Sequence, residues 1–195
     1  CEGFFNSQED IDSHATQTFG EVMPGDLKYK DQNGDGIIDA KDQVDLGSYT
    51  PKFYYGMNLT LKWKDFTFFA LAAGQAGGVA FKNNSYYWIS GSSKYNEVVR
   101  GRWTPETATT ATYPRLTTTA GSNNLRNSSF WKYSTNRFDL TKVQVTYDMP
   151  ADWFAGKIVK GLSVYVSGEN LLTFSGEREI LETTIGAEPQ CRFYN

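Results

Sequence analysis

The sequence predicts an all-β chain, a segment of an antiparallel transmembrane β-barrel with long extracellular loops. Residues 53–63 alternate between apolar and polar side chains over the length of a tilted membrane-spanning strand. Aromatic residues make up 15% of the chain although its mean hydropathy is −0.50. That combination is typical of barrels whose aromatic girdles lie among polar lumen and loop residues. Long polar segments also separate the predicted hairpins.

The first predicted hairpin covers residues 53–74. Every odd-numbered residue from Phe53 to Trp63 is apolar, and the even-numbered positions are mainly polar. A tight turn leads into a second strand, Phe66–Gly74, which is rich in Phe and Ala. We expect the odd-numbered face to meet lipid and the even-numbered face to meet the lumen.

Residues 75–136 lack sustained alternation and are predicted to form an extracellular loop, since so long a connection is unusual in a compact soluble domain. Alternation returns in a second hairpin, 137–171, and residues near 192 resemble the start of a last strand. Four or five antiparallel strands cannot close a barrel, and open edges leave backbone groups unsatisfied in lipid. We therefore expect residues 51–195 to be one part of a longer barrel.

Residues 1–50 are polar and rich in turns, and we predict an extracellular loop with a calcium-binding motif. The run DQNGDGIIDAKD matches the EF-hand loop in its oxygen donors, in its turn glycine and in its main-chain carbonyl ligand. Calcium prefers several oxygen ligands in a flexible cage. The alternative is a solvated turn, because Asn-Gly and Asp-Gly are strong turn formers. The predicted Ca²⁺ ligands are Asp31, Asn33, Asp35, the Ile37 carbonyl, Asp39 and Asp42.

Four aromatic residues of the long loop are candidates for substrate contact. Aromatic rings stack on sugar rings, and neighbouring Asn and Thr side chains can hydrogen-bond to the same ligand. The alternative is that the rings pack the loop against its neighbours or lie in an interfacial belt. The candidates are Tyr86, Tyr87, Trp88 and Trp103.

Composition argues against several other classes of protein. The net charge is −3 and no basic patch is present, so nucleic acid is not an expected partner. The one histidine, His14, has no paired Cys or Ser nucleophile in its segment, and we predict no enzyme activity. Cys1 and Cys191 lie at opposite ends of the sequence, and whether they pair is left open.

Several segments resemble the SusC-like family of TonB-dependent outer-membrane transporters. PGDLKYKDQNGDGIIDAKDQVDLG, followed by PKFYYGMNLTLKWKDFTFFALAAGQAGG, resembles the family's run from an extracellular loop into a barrel hairpin. GRWTPETATTATYPRL resembles its Arg-Trp-Thr-Pro-Glu loop motif, with Thr107 where the family often has Asn. SSFWKYSTNRFDLTKVQVTYDMP and LSVYVSGENLLTFSG resemble its last complete hairpin.

The resemblance implies a 22-stranded barrel with an N-terminal plug, in the outer membrane of a Gram-negative, Bacteroidetes-like bacterium. It implies uptake of a large nutrient, most often an oligosaccharide in this family, with a peptide as the other candidate. It further implies a SusD-like surface lipoprotein, energy from the TonB–ExbB–ExbD complex, and a dimer of the transporter–lipoprotein pair.

Two alternatives are an extracellular calcium-binding module of the dockerin type and a carbohydrate-binding β-sandwich. A dockerin would need a second, duplicated calcium loop. A sandwich would need shorter strands than 53–63, with a less aromatic apolar side.

Overall fold

The computed structural model shows a chain of β-strands and loops with little helix. It describes residues 1–89, 97–117, 123–156, 158–159, 161–176 and 193–194. One short helix is present, α1 (Gln8–Asp12), with 3₁₀ turns at Ala40–Asp42, Glu97–Gly101 and Ala151–Phe154. The strands are β1 (Gly3–Phe4), β2 (Thr16–Gln17), β3 (Leu27–Lys28), β4 (Ile37–Ile38), β5 (Phe53–Trp63), β6 (Phe66–Ala76), β7 (Val79–Phe81), β8 (Lys132–Ser134), β9 (Arg137–Asp148), β10 (Ser163–Ser175) and β11 (Phe193–Tyr194).

Among the described residues, no helix has the length and apolar character that crossing a membrane requires.

The chain divides into two compact units that interleave along the sequence. The first contains residues 1–47 and 81–133, and the second contains residues 48–80 and 134–195. Much of the predicted loop 75–136 therefore belongs to the same unit as the N-terminal segment. In addition, β7 and β8 pair in a two-stranded sheet.

The second unit is built around one five-stranded antiparallel sheet with the order β11-β10-β9-β6-β5. The strand predicted over 53–63 is confirmed at the same bounds. Both hairpins run further than predicted, since β6 extends to Ala76 and β10 to Ser175. Near position 192, β11 pairs with Gly168 and Glu169 of β10. Each strand of this sheet follows its neighbour in chain order, as in an up-and-down meander.

One face of the sheet is apolar throughout β5, β6, β9 and β10, because the register aligns the alternating side chains of neighbouring strands. An aromatic row crosses each end of this face, and small and branched apolar residues lie between the rows. The end rows are Tyr55, Phe138 and Phe174, and Trp63, Phe66 and Tyr147; residues between them include Met57, Leu59, Leu61, Phe68, Ala70, Ala72, Leu140, Val143, Val145, Val166 and Leu172.

The opposite face carries ion pairs and hydrogen bonds, within β9 and between β9 and β10. Arg137 Nε lies 2.9 Å from Asp139 Oδ2, and the Thr173 hydroxyl donates to Asp139 Oδ1 at 2.7 Å. Lys142 and Glu169 approach to 3.4 Å. The two faces therefore differ in kind: one offers only apolar surface, and the other can be solvated.

A bulge keeps the apolar face continuous where the sequence alternation changes phase. Leu140 pairs with Ala72 while Lys142 pairs with Leu71, so Thr141 is the extra residue of β9. Because of this insertion, Leu140 and Val143 lie on the same face although three positions separate them. The bulge at Thr141 thus keeps the apolar residues of β9 on one face of the sheet.

The first unit has a mixed apolar and polar core. Its apolar part includes Phe5, Leu27, Ile38, Tyr113 and Trp131, each at most 5% exposed. The short strands pair as β1 with β3, antiparallel, and β2 with β4, parallel. Strands this short form few backbone hydrogen bonds with each other. Side-chain hydrogen bonds therefore satisfy many of the buried polar groups.

A buried carboxylate, Asp26, organises the polar part of this core. Arg115 forms an ion pair with it: Nη2 donates to Oδ2 at 3.0 Å, and Nε lies 2.6 Å from Oδ1. Asn124 Nδ2 donates to Asp26 Oδ1 at 2.7 Å, and Asn124 Oδ1 accepts the Leu27 amide at 2.8 Å. Gln17 Nε2 donates to the side chain of Asn123 at 2.7 Å. These bonds attach Arg115, Asn123 and Asn124 to residues 17–27 within the unit.

We predict that Asp26→Ala lowers the local unfolding free energy of this unit by about 3 kcal/mol, because it leaves Arg115 and Asn124 without their buried acceptor. Hydrogen exchange of the Leu27 amide reports the change. The matched control is Asp10→Ala, which removes the half-exposed pair with Lys28 at 2.7 Å and should cost at most about 1 kcal/mol. Equal effects of the two variants would contradict the assignment.

Candidate functional site

The acidic loop, residues 31–42, is shaped by hydrogen bonds from its own backbone to its carboxylates. Asp31 accepts the amides of Gly34 at 2.6 Å and Gly36 at 2.9 Å. Both glycines have positive φ, +78° and +80°, a region that other residues enter only at a cost. The two glycines therefore allow the chain to wrap around the Asp31 carboxylate.

Asp42 closes the loop. Its two carboxylate oxygens accept the amides of Gln32 and Asp39, each at 2.8 Å. The Asp39 and Gln32 amides hold the pKa of the Asp42 carboxyl below its ordinary value, because they stabilise the ionised form. The first and last parts of the motif thus meet at one side chain.

The predicted main-chain ligand at Ile37 lies on strand β4. There the carbonyls of Gly36 and Ile38 accept the amides of Thr16 and Thr18 at 3.0 and 3.1 Å. Along a strand successive carbonyls alternate in direction, so the Ile37 carbonyl points away from β2. The Ile38 side chain is buried, 2% exposed, and anchors this end of the loop in the core.

The donor chemistry of the loop suits calcium, because the predicted ligands offer only oxygen atoms. Their present arrangement is not a cage: within the described part of the chain, no group of three or more His, Cys, Asp or Glu side chains is placed to hold a metal ion. Asn33 Nδ2 instead donates to Asp35 Oδ2 at 3.0 Å. A carboxylate has about four acceptor positions, so an oxygen that accepts an amide can also ligate an ion.

The candidate substrate aromatics occupy different environments. Trp103 is buried against Gly25, where a Cβ would lie 2.5 Å from the indole ring. Tyr87 is also buried, stacks edge-on with Tyr86 at 5.2 Å, and borders a cavity of about 340 Å³. Trp88 borders a larger cavity of about 510 Å³. Trp103 therefore packs the unit, whereas Tyr87 and Trp88 line spaces that a ligand could enter.

The larger cavity, which we call the Arg126 cavity, brings the two predicted sites together. Asp39 and Asp42 of the acidic loop line it, and so does Trp88. Its other notable lining residues, which no sequence pattern predicted, are Phe19, Tyr29, Lys30 and Arg126. Their identities carry no local motif, so only the packing of residues 1–47 with residues 81–133 could reveal them.

Two residues give this cavity a defined polarity. The Arg126 guanidinium carbon lies 3.8 Å from the centroid of the Phe19 ring, a cation–π contact. Burial raises the pKa of the Tyr29 hydroxyl to about 12, and this hydroxyl donates to the Asn123 carbonyl at 2.6 Å. The Tyr29 hydroxyl is thus neutral at ordinary pH, and Arg126 is one of the charged residues that line the cavity beside it.

The sole histidine has a structural role. His14 Nε2 donates to the Tyr29 carbonyl at 2.8 Å, since a carbonyl oxygen can only accept. Its ring packs edge-on against Phe5 at 5.4 Å. These contacts hold the half-buried His14 against the core residue Phe5.

Comparison with known proteins reveals relatives of one kind. The chain is 34% identical over 181 residues to the TonB-dependent receptor P26 of Formosa agariphila, covering 91% of this chain and 18% of that protein. It is 26% identical over 176 residues to the TonB-dependent receptor P3 of the same organism, covering 90% of this chain and 16% of that protein. The chain thus spans less than a fifth of the length of these relatives. No protein-family model matches it.

Solved structures share the fold. The RagAB peptide transporter superposes with a TM-score of 0.64 at 21% identity, over 80% of this chain and 18% of that chain. The RagAB peptide importer in the open-open state gives a TM-score of 0.60 at 20% identity, over 78% of this chain and 18% of that chain.

We predict that the acidic loop loses its closure in acid. Because the pKa of Asp42 is lowered in the folded chain, its contribution is present above the ordinary aspartate pKa of about 3.9 and disappears as the pH falls through the lower folded value. ¹⁵N NMR of the Gln32 and Asp39 amides should show the transition. Asp42→Asn should abolish it, and its persistence in that variant would assign the titration to another group.

Proposed function

Because the chain is related over 91% of its length to a TonB-dependent receptor, we propose that it forms part of a TonB-dependent outer-membrane importer of the SusC-like kind. This relationship is the observation that carries the proposal, and at the level of the family it confirms the resemblance seen in the sequence. The relatives are receptors and transporters, which is consistent with the prediction that the protein is not an enzyme.

The apolar face of the five-stranded sheet supports a membrane position. Tyr55 and Trp63 mark the two aromatic rows, which lie about 26 Å apart along the strand at about 3.3 Å per residue, or about 20 Å apart along the membrane normal at a strand tilt of about 40°. An outer-membrane barrel presents an apolar band about 25 Å tall between aromatic girdles. We propose that this face meets lipid and that the face with Arg137, Asp139 and Lys142 lines the lumen.

Closure requires further strands, because the outer edges of this sheet would otherwise leave amides and carbonyls unpaired in lipid. We propose a 22-stranded barrel in which the loops 1–50 and 75–136 lie on the extracellular side. A SusD-like surface lipoprotein would cover this side, and the TonB–ExbB–ExbD complex would supply energy through other parts of the protein. A dimer of the transporter–lipoprotein pair belongs to the same proposal.

The imported nutrient is a large molecule in this proposal, and an oligosaccharide is the first candidate. Aromatic residues such as Trp88 at the larger cavity suit sugar rings. A peptide is the second candidate, favoured by the fold shared with a peptide importer. Uptake of labelled oligosaccharide and peptide mixtures by the same cells distinguishes the two.

We also propose that the acidic loop binds one calcium ion. Asp31, Asn33, Asp35, Asp39 and Asp42 would supply side-chain oxygens and Ile37 its carbonyl, once Asn33 and Asp35 separate from each other. The ion would offset the repulsion among the carboxylates and make the loop rigid beneath the lipoprotein. Extracellular modules bind calcium at about 10⁻⁴–10⁻³ M, an affinity sufficient outside the cell.

We predict that deleting the gene abolishes energy-dependent uptake of the nutrient, and that an uncoupler has the same effect on wild-type cells. Leu59→Arg should also reduce uptake, because a charge near the middle of the apolar face costs about 2–4 kcal/mol in lipid and lowers the amount of folded protein. The control Thr60→Arg places the same charge on the opposite face and should leave the membrane level unchanged. Uptake that survives deletion and uncoupling would refute the importer.

We predict that Asp35→Ala abolishes calcium binding in the millimolar range, because it removes a central oxygen ligand. Isothermal titration of the complete protein measures the loss. Asp45→Ala is the control: Asp45 accepts the Gly47 amide at 2.7 Å and lies outside the motif. Wild-type protein that takes up no calcium at several millimolar would exclude the site and leave the solvated turn as the explanation.

A further inference from the structure

Arg126 is an arginine held in place without an acidic partner among the described residues. Its guanidinium group stacks on Phe19 at 3.8 Å and borders the Arg126 cavity. Among the residues that the structure describes, no oxygen accepts a hydrogen bond from it. An arginine orientated by an aromatic ring loses little freedom when it binds a ligand, and its planar donors match a carboxylate in two parallel hydrogen bonds.

Lys30 and Trp88 line the same space. Lys30 adds a second positive charge to the lining, and Trp88 adds an aromatic residue. With a volume of about 510 Å³, the space holds more than a single ion.

The acidic residues of the lining are directed elsewhere. Asp42 accepts two backbone amides at 2.8 Å, and Asp39 Oδ1 accepts the Lys41 amide at 2.7 Å. Their hydrogen bonds are thus made to the acidic loop itself. The lysine and arginine side chains of the lining are those of Lys30 and Arg126, and their positive charges favour a ligand that carries negative charge.

We propose that the Arg126 cavity binds a carboxylate group of the imported nutrient, with Arg126 as the bidentate donor and Lys30 as a second positive charge. The inference rests on the proposed importer function and adds the chemical class of its ligand. The carboxylate could belong to a uronic acid of an oligosaccharide or to an acidic peptide. Phe19 positions the guanidinium group and offers its ring edge to the rest of the ligand.

The test is equilibrium binding to the complete detergent-purified transporter by isothermal titration. Trigalacturonate is compared with neutral galactotriose, and a Glu-containing hexapeptide is compared with its Gln counterpart. We expect one acidic probe to bind at least about tenfold more tightly than its neutral partner, the scale of a charge-assisted hydrogen bond. A preference for the uronate identifies the ligand as a glycan, and a preference for the Glu peptide identifies it as a peptide.

Arg126→Gln should remove this selectivity, and Phe19→Leu should weaken it severalfold while the charge is kept. The matched control is Arg102→Gln, which removes the same charge from an exposed side chain that does not line the cavity. Equal binding of acidic and neutral probes, or unchanged selectivity in both cavity variants, overturns the proposal.

The outcome is separate from the importer test. Selective binding without energy-dependent uptake refutes the importer alone, and uptake without selectivity refutes the carboxylate site alone.

Discussion

The two-residue alternation of the β-strand is the constraint on which the five-stranded sheet depends. Four long strands place only apolar side chains on one face and most of their charged groups on the other. A register slip by one residue would move lysine, arginine and aspartate onto the apolar face, so the pairing is strongly specified. The bulge at Thr141 shows the same constraint, since the backbone departs from regular pairing where the pattern would otherwise reverse. An apolar face of this size is unfavourable in water, and the aromatic rows at its two ends are compatible with contact to lipid.

The first unit meets the opposite requirement, because its core contains polar groups that must be satisfied. Asp26 is 1% exposed, and arginine, asparagine and backbone donors surround it. Such a network stabilises one arrangement of chain segments, because each alternative leaves a buried charge unpaired. It brings residues from two distant stretches of sequence together on a scaffold with few ladder hydrogen bonds. Loops held in this way can present binding groups while remaining irregular in backbone.

The Arg126 cavity results from that arrangement. Asp39 and Asp42 of the acidic loop line it together with Trp88 and Arg126, so a cation held by the loop and an anion held by Arg126 would be neighbours. Binding of one would then favour the other through their mutual attraction. The calcium loop and the carboxylate site are separate proposals, and this proximity gives a physical reason for them to occur in one unit.

The sequence by itself determined the strand β5, the two hairpins and the acidic motif, because alternation and turn chemistry are local properties of the chain. It also carried the resemblance to TonB-dependent transporters, through ordered motifs that extend over most of the chain. Tertiary structure alone decided that Trp103 is a packing residue, that Phe19 supports Arg126, and that Asp42 and Trp88 share a cavity. These residues lie tens of positions apart, in segments without periodicity. Their proximity depends on the buried network around Asp26, and such long-range contacts leave no local pattern in the sequence.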